Sequence, residues 1–136
     1  MGFLVDSCII LDIVTNDPVW AESSQKLLEK CDNEGNLYIN PIIYTEISIG
    51  YSDVKLLNEV VEEMKLEWLD IPKEALFLTG KIFVKYRRNK GTKAHPLPDF
   101  YIGAHAQIAE LQLITRDTAR YKTYFSNVPL ILPETK

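Results

Sequence analysis

Long apolar runs are missing from this chain of 136 residues. None approaches the roughly 18 residues that a bilayer-spanning helix requires, so no membrane segment is expected. No basic stretch leads into an apolar one near the start, so no secretory leader is expected. Met1-Gly2 lacks the Ser or Thr at position 6 that N-myristoylation prefers, because Asp6 stands there. Cysteine is scarce. Cys8 and Cys31 lie in unrelated contexts without the spacing of a metal site, which suits a reduced, cytoplasmic setting with inert thiols. Histidine is equally scarce: His95 sits in a polar loop and His105 mid-helix among alanines, where it reads as a packing or surface residue. Repeats, low-complexity segments and long linkers are also absent. With 46% apolar and 25% charged residues the chain has the make-up of an ordinary globular protein. Residues 1–136 are expected to form a single domain with one sizeable core.

The net charge of −4 argues against indiscriminate binding to nucleic acid, yet it conceals an asymmetry. Residues 1–80 hold 15 acids and 5 Lys or Arg, whereas residues 81–136 hold 4 acids and 10 Lys or Arg. Between 81 and 95 six residues are basic (Lys81, Lys85, Arg87, Arg88, Lys90, Lys93) and none is acidic. Such a patch either attracts a polyanion locally or forms a solvated face.

Phe3-Leu4-Val5 reads as a central, fully buried strand, which puts Asp6 at its end. A helix or turn over Ile9 to Ile13 follows. Asp17-Pro18 has the residues to open a helix running to Lys30, with Val19, Trp20, Leu27 and Leu28 on its apolar face. Residues 32–36 read as a loop in which Gly35 is able to take positive φ. Leu37-Tyr38-Ile39 forms a second strand, and Asn40-Pro41 opens a helix over Ile42 to Tyr51. Its stripe of Ile43, Ile47 and Gly50, widened by Ile42 and Ile49, is interrupted by Glu46. That acid either sits at the stripe's margin or has a cation to neutralise it. Residues 53–65 form an amphipathic helix with Val54, Leu57, Val60, Val61 and Met64 on one face. Leu66 to Ile71 alternates as a strand. Lys73 to Arg88 is a helix that turns Ala75, Leu76, Leu78, Thr79, Ile82, Phe83 and Tyr86 inward. After a polar loop, Asp99 is placed to cap a helix running to Glu110. Leu111 to Thr115 is a strand, Asp117 is placed to cap a short helix from Thr118 to Phe125, and Val128 to Leu132 is a last strand at a sheet edge.

This alternation implies right-handed crossovers and a mostly parallel sheet covered on both faces. In such folds chemistry gathers beyond the carboxyl ends of the strands. Asp6 and Asp117 fall at such ends, and Glu46 and Asp99 in the first turns of helices that face them. Carboxylates that gather there repel one another unless a cation is present. Oxygen ligands alone suit Mg²⁺ or Mn²⁺.

Four segments together carry a family resemblance: Asp6-Ser7 after the first strand, Glu46 within Ile-Ile-Tyr-Thr-Glu-Ile, Asp99 opening Asp-Phe-Tyr-Ile-Gly-Ala-His-Ala, and Leu-Ile-Thr-Arg-Asp ending at Asp117. The chain resembles a PIN-domain ribonuclease over nearly its whole length, and most of all the VapC toxins of type II toxin–antitoxin modules. The resemblance implies an α/β/α sandwich around a five-stranded parallel sheet of order 3-2-1-4-5. It implies Asp6, Glu46, Asp99 and Asp117 as catalytic, metal-binding acids, with Ser7 and Thr115 as supporting hydroxyls. Two positions depart from the family pattern: Arg120 stands where many relatives carry a further acid, and Tyr121 where a phenylalanine often follows.

The expected activity is hydrolysis of RNA phosphodiester bonds with Mg²⁺ or Mn²⁺, leaving a 5′-phosphate and a 3′-hydroxyl. Bound metal would lower the pKa of a water and orient it at the scissile phosphate. Arg87, Arg88, Lys90, Lys93 and Arg116 are candidates for contacts to the RNA backbone. The expected partners are an RNA substrate, a cognate antitoxin and a second copy of the chain in a homodimer. One alternative is a PIN nuclease with a housekeeping role in RNA processing and no antitoxin. Another is a non-enzymatic α/β binding module such as a phospho-acceptor receiver. The receiver would want paired acids after the first strand, and Asp6 has no acidic neighbour.

Overall fold

A computed structural model of the chain describes residues 2–134. At its centre β1 (Gly2–Val5) is buried at every position, as a short apolar run flanked on both sides by other strands must be. β2 (Asn36–Ile39) pairs parallel to it on one side, with Phe3 opposite Leu37 and Leu4 opposite Tyr38. β4 (Gln112–Ile114) pairs parallel on the other side, with Leu4 opposite Leu113 and Val5 opposite Ile114. β3 (Leu66–Trp68) and β5 (Leu130–Ile131) complete the edges, giving the order β3-β2-β1-β4-β5. This is the five-stranded parallel sheet that the resemblance implies.

Seven helices among the described residues make the crossovers: α1 (Ser7–Val14), α2 (Ala21–Glu34), α3 (Pro41–Ser48), α4 (Val54–Glu63), α5 (Lys73–Arg88), α6 (Pro98–Ile108) and α7 (Ala119–Tyr124). The core joins β1, β2 and β4 to Ile9 and Ile10 of α1, Ile43 and Ile47 of α3, Phe100, Ile102 and Ala104 of α6, and Tyr121 and Phe125. α6 lies close to its neighbours because Gly103 has no Cβ; one built there would stand 2.3 Å from the Phe125 ring. Asn40 caps α3 by accepting from Ile43 N, and its amide lies 3.0 Å from His105 Nδ1. His105 is thus a buried packing residue held by a hydrogen bond.

Several local elements differ from what the sequence predicts. Asp17 does accept from Val19 N and Trp20 N, but it closes a turn, and α2 begins only at Ala21. That helix continues through the supposed loop to Glu34, and Gly35 is extended (φ 179°), so no left-handed glycine is needed there. α3 ends at Ser48; Ile49 is its C-cap and keeps helical dihedrals, but two positions on from buried Ile47 it falls on the far side and is 84% exposed. Val54 starts α4 facing solvent, and Leu76 of α5 is also exposed. β3 stops at Trp68, and the last strand is only two residues long. Neither Asp99 nor Asp117 is a cap. Leu97 holds the cap position of α6 with Asp99 inside the first turn, and Thr118 holds that of α7.

Candidate active site

The ends of β1 and β4 lie side by side, so the residues that follow them meet. Asp6 N donates to the carbonyl of Ile114, closing the ladder one step beyond the strand. Asp6 then turns into α1 and caps it, its Oδ1 accepting from Ser7 N at 2.8 Å. Its Oδ2 accepts from Thr115 Oγ1 at 2.8 Å and from the Tyr121 hydroxyl at 3.0 Å. The same hydroxyl stands 3.4 Å from Asp99 Oδ1, so one phenol bridges carboxylates 93 positions apart in the chain. Thr115 Oγ1 also accepts from Asp117 N at 3.1 Å, which folds the segment after β4 back over the site. Ser7 Oγ donates to Glu46 Oε1 at 2.9 Å and ties α3 to the start of α1.

Electrostatics link the same four acids. Burial lifts the Asp6 carboxyl to about 6, helped by the charge of Asp99 and opposed by the hydrogen bonds from Thr115, Tyr121 and Ser7. Glu46 is also raised, by burial first and by Asp99 second, against the Ser7 hydrogen bond. Asp99 is raised by burial and by Asp117, against Arg120 and Tyr121. Asp99 is therefore the common neighbour: its charge is felt at Asp6 and Glu46, and it feels that of Asp117. Burial and these anions push the Tyr121 hydroxyl well above its ordinary range, so it stays a proton donor.

Among the described residues, no group of three or more His, Cys, Asp or Glu is arranged to hold a metal ion as it stands. The protein itself supplies hydrogen bonds to these acids and one counter-charge, at Asp99. Tyr121 donates to two of the acids, and Arg120 Nη1 lies 3.4 Å from Asp99 Oδ2. The donor set consists of carboxylates and hydroxyls, which is the chemistry suited to a hard cation such as Mg²⁺ or Mn²⁺ rather than to a soft one.

The sequence singled out Arg120 and Tyr121 only as departures, and the part both play on Asp99 was missed. Tyr121 was recoverable in principle: a tyrosine inside an apolar α7 face must find a hydrogen-bond partner when buried. The pairing of Asp12 was missed too. Arg116 grips this buried acid through two bonds of 2.7 and 2.8 Å and lies over the Trp20 ring at 5.2 Å. Its guanidinium is thereby committed to α1. Arg87, Arg88, Lys90 and Lys93 lie exposed at the end of α5 and in the following loop. There Arg87 Nη1 donates to the carbonyls of Gly91 and Lys93, which shapes the loop.

A sequence model of the PIN domain matches residues 3–126. The chain belongs to the PIN-domain family. PIN domains are nucleases that generally use divalent metal ions, which places this protein among hydrolases acting on nucleic acids. Similar solved structures share the fold over nearly their full length. VapBC2 from Rickettsia felis, bound to a DNA fragment from its promoter, is 19% identical with a TM-score of 0.76, over 98% of this chain and 100% of the other. DNA-bound VapBC from Salmonella typhimurium is 20% identical with a TM-score of 0.73, over 97% and 98%. A toxin–antitoxin complex from Klebsiella pneumoniae is 21% identical with a TM-score of 0.67, over 98% of each chain. No curated protein sequence matches. Among the described residues, no helix of this PIN protein is long and apolar enough to cross a membrane.

Proposed function

We propose that this PIN protein is a Mg²⁺- or Mn²⁺-dependent endoribonuclease and the toxin of a type II toxin–antitoxin pair, with Asp6, Glu46, Asp99 and Asp117 as its catalytic acids. The observation that carries the site is the Tyr121 hydroxyl shared between Asp6 and Asp99 at the carboxyl edge of the sheet. Asp6 and Asp99 would hold the cation, with Glu46 and Asp117 binding directly or through water. Bound there, it supplies Lewis acidity that activates water and offsets charge on the phosphate. Thr115 and the Ser7 backbone fix both oxygens of Asp6, so the carboxylate faces the site in one orientation. Ser7 aims Glu46, and Thr115 sets the backbone that carries Asp117. Because Asp6 titrates at about 6, its charge, and with it the pull on a cation, develops as pH rises toward neutrality.

Arg87, Arg88, Lys90 and Lys93 supply contacts to the RNA backbone, which give affinity without reading sequence. Arg116 is set aside from that role by its bond to Asp12. The fold likeness to VapBC complexes supports a cognate antitoxin as partner; a homodimer in the cytoplasm belongs to the same proposal.

The test is cleavage of RNA by the purified protein with Mg²⁺, with Mn²⁺ and with EDTA, followed by sequencing of the ends. The reading expects cation-dependent cuts that leave a 5′-phosphate and a 3′-hydroxyl. Asp6→Asn and Asp99→Asn should abolish cutting while remaining folded; cutting that persists in these variants overturns the site. Expression should arrest growth of a host, and harmless overproduction would remove the toxin role.

A further inference from the structure

Two arginines border the site, and the structure treats them differently. Arg116 is fixed by two short bonds to a buried acid and by the Trp20 ring. Arg120 is held loosely: its side chain is 46% exposed, and its contact with Asp99 is a single one of 3.4 Å. Asp99 is 22% exposed, but a single long contact to a half-exposed guanidinium is worth little, so that guanidinium is easily exchanged to another anion. It is also placed to do so. Arg120 precedes Tyr124 by four residues on α7, hence shares its face. Tyr124 packs edge-on against Phe100 of α6, which packs in turn against Tyr86 of α5. The Tyr86 hydroxyl accepts from Lys93 N in the basic loop, the bond that lowers this phenol most, with the charge of Arg120 a smaller contribution of the same sign. Arg120 thus stands between the acidic edge and the basic loop.

Resting on the nuclease reading above, we propose that Arg120 is a substrate-binding residue that exchanges partners: it neutralises Asp99 in the resting site, and once a divalent cation occupies that site it turns to the phosphate of the bound RNA strand. Arg120 and the cation compete for one carboxylate, while Arg120 and the basic loop form one continuous track for the backbone. The cation's arrival at Asp99 releases a positive side chain beside the place where the phosphate must lie. Metal and RNA binding are then mutually reinforcing, as linkage requires.

The experiment follows Mn²⁺ binding by electron paramagnetic resonance for the wild type, Asp99→Asn, Arg120→Ala and Arg120→Lys. Binding of a short fluorescent single-stranded oligoribonucleotide is followed by anisotropy with and without Ca²⁺. Arg120→Ala should bind Mn²⁺ about two- to fivefold more tightly, the range expected when an exposed competing charge is removed. The same variant should bind the oligoribonucleotide more weakly in Ca²⁺, with a salt slope about 0.7 shallower for the lost phosphate contact. It should also lose the gain in RNA affinity that Ca²⁺ gives the wild type, and Arg120→Lys should restore part of it. Unchanged or weaker Mn²⁺ binding by Arg120→Ala, or unchanged RNA binding, would overturn the exchange and leave Arg120 a structural partner of Asp99. The nuclease reading fails separately, if the wild type shows no Mn²⁺ site that Asp99→Asn removes.

Discussion

Replacing Asp6 by Asn should make the metal-free protein more stable at neutral pH, although Asp6 accepts three hydrogen bonds. Its carboxyl stands at about 6 in the folded protein against 3.8 for the free side chain. A folded pKa above the unfolded one means that the folded state binds the proton more tightly. Stability therefore falls as pH rises: the cost is absent below about pH 4, grows through pH 6 and is complete above it. At about 1.4 kcal/mol per pH unit the full cost is about 3 kcal/mol. Asn removes this charge at similar volume. Its Oδ1 still accepts from Ser7 N, and the two hydroxyls that faced Oδ2 are able to rotate, since Thr115 Oγ1 lies 3.3 Å from the Asp117 carbonyl and Tyr121 lies 3.4 Å from Asp99. Allowing for imperfect rearrangement, Asp6→Asn should gain about 1–3 kcal/mol near pH 7.5. For a chain of this size that is about 4 °C of melting temperature per kcal/mol. The assay is urea or thermal unfolding in EDTA at several pH values from about 4 to 8. The gap between variant and wild type should open as pH rises and narrow toward pH 4. A variant no more stable than wild type near pH 7.5, or a gap independent of pH, would refute the account of Asp6 as a buried acid whose hydrogen bonds only partly offset its burial.

Two further perturbations test the frame around the site. Arg116→Ala leaves Asp12, only 3% exposed, without its counter-charge, and should cost about 2–3 kcal/mol, whereas Asp12→Asn leaves a partly exposed arginine and should cost about 1 kcal/mol. Equal losses in urea unfolding would contradict this asymmetry. Gly103→Ala places a methyl group 2.3 Å from the Phe125 ring and should destabilise by at least about 1–3 kcal/mol. An unchanged melting temperature would mean that α6 and the Phe125 ring separate freely.

Much of this architecture was legible because its signals are local. The buried run before Asp6, the Asn40-Pro41 helix start and the bounds of α5 all follow from short patterns of apolar, capping and helix-forming residues. The central position of β1 came from its continuous burial, since a strand covered on both faces cannot alternate. Errors arose where tertiary contacts overrule such patterns. Asp17 caps a turn that the sequence does not distinguish from a helix start, and Ile49, two positions on from Ile47, turns away from the apolar stripe. Asp99 and Asp117 both occupy positions where capping was the simplest role, yet Pro98 takes the first helical position of α6 and shifts Asp99 inside, while Thr118 takes the cap of α7. Their carboxylates are thereby released from backbone duty. The four acids were individually visible, but their support was not. The Tyr121 bridge, the Arg120 contact and the Asp12–Arg116 pair join residues 21 to 115 positions apart, a relation no local pattern encodes.

The most direct measurement of the central claim is the anomalous diffraction of Mn²⁺ soaked into crystals of the wild-type protein. The account predicts one strong peak at the carboxyl edge of the sheet, about 2.1 Å from oxygens of Asp6 and Asp99, and absent from Asp99→Asn crystals. Peaks only at surface acids, with Arg120 and Tyr121 still seated on Asp99, would contradict it.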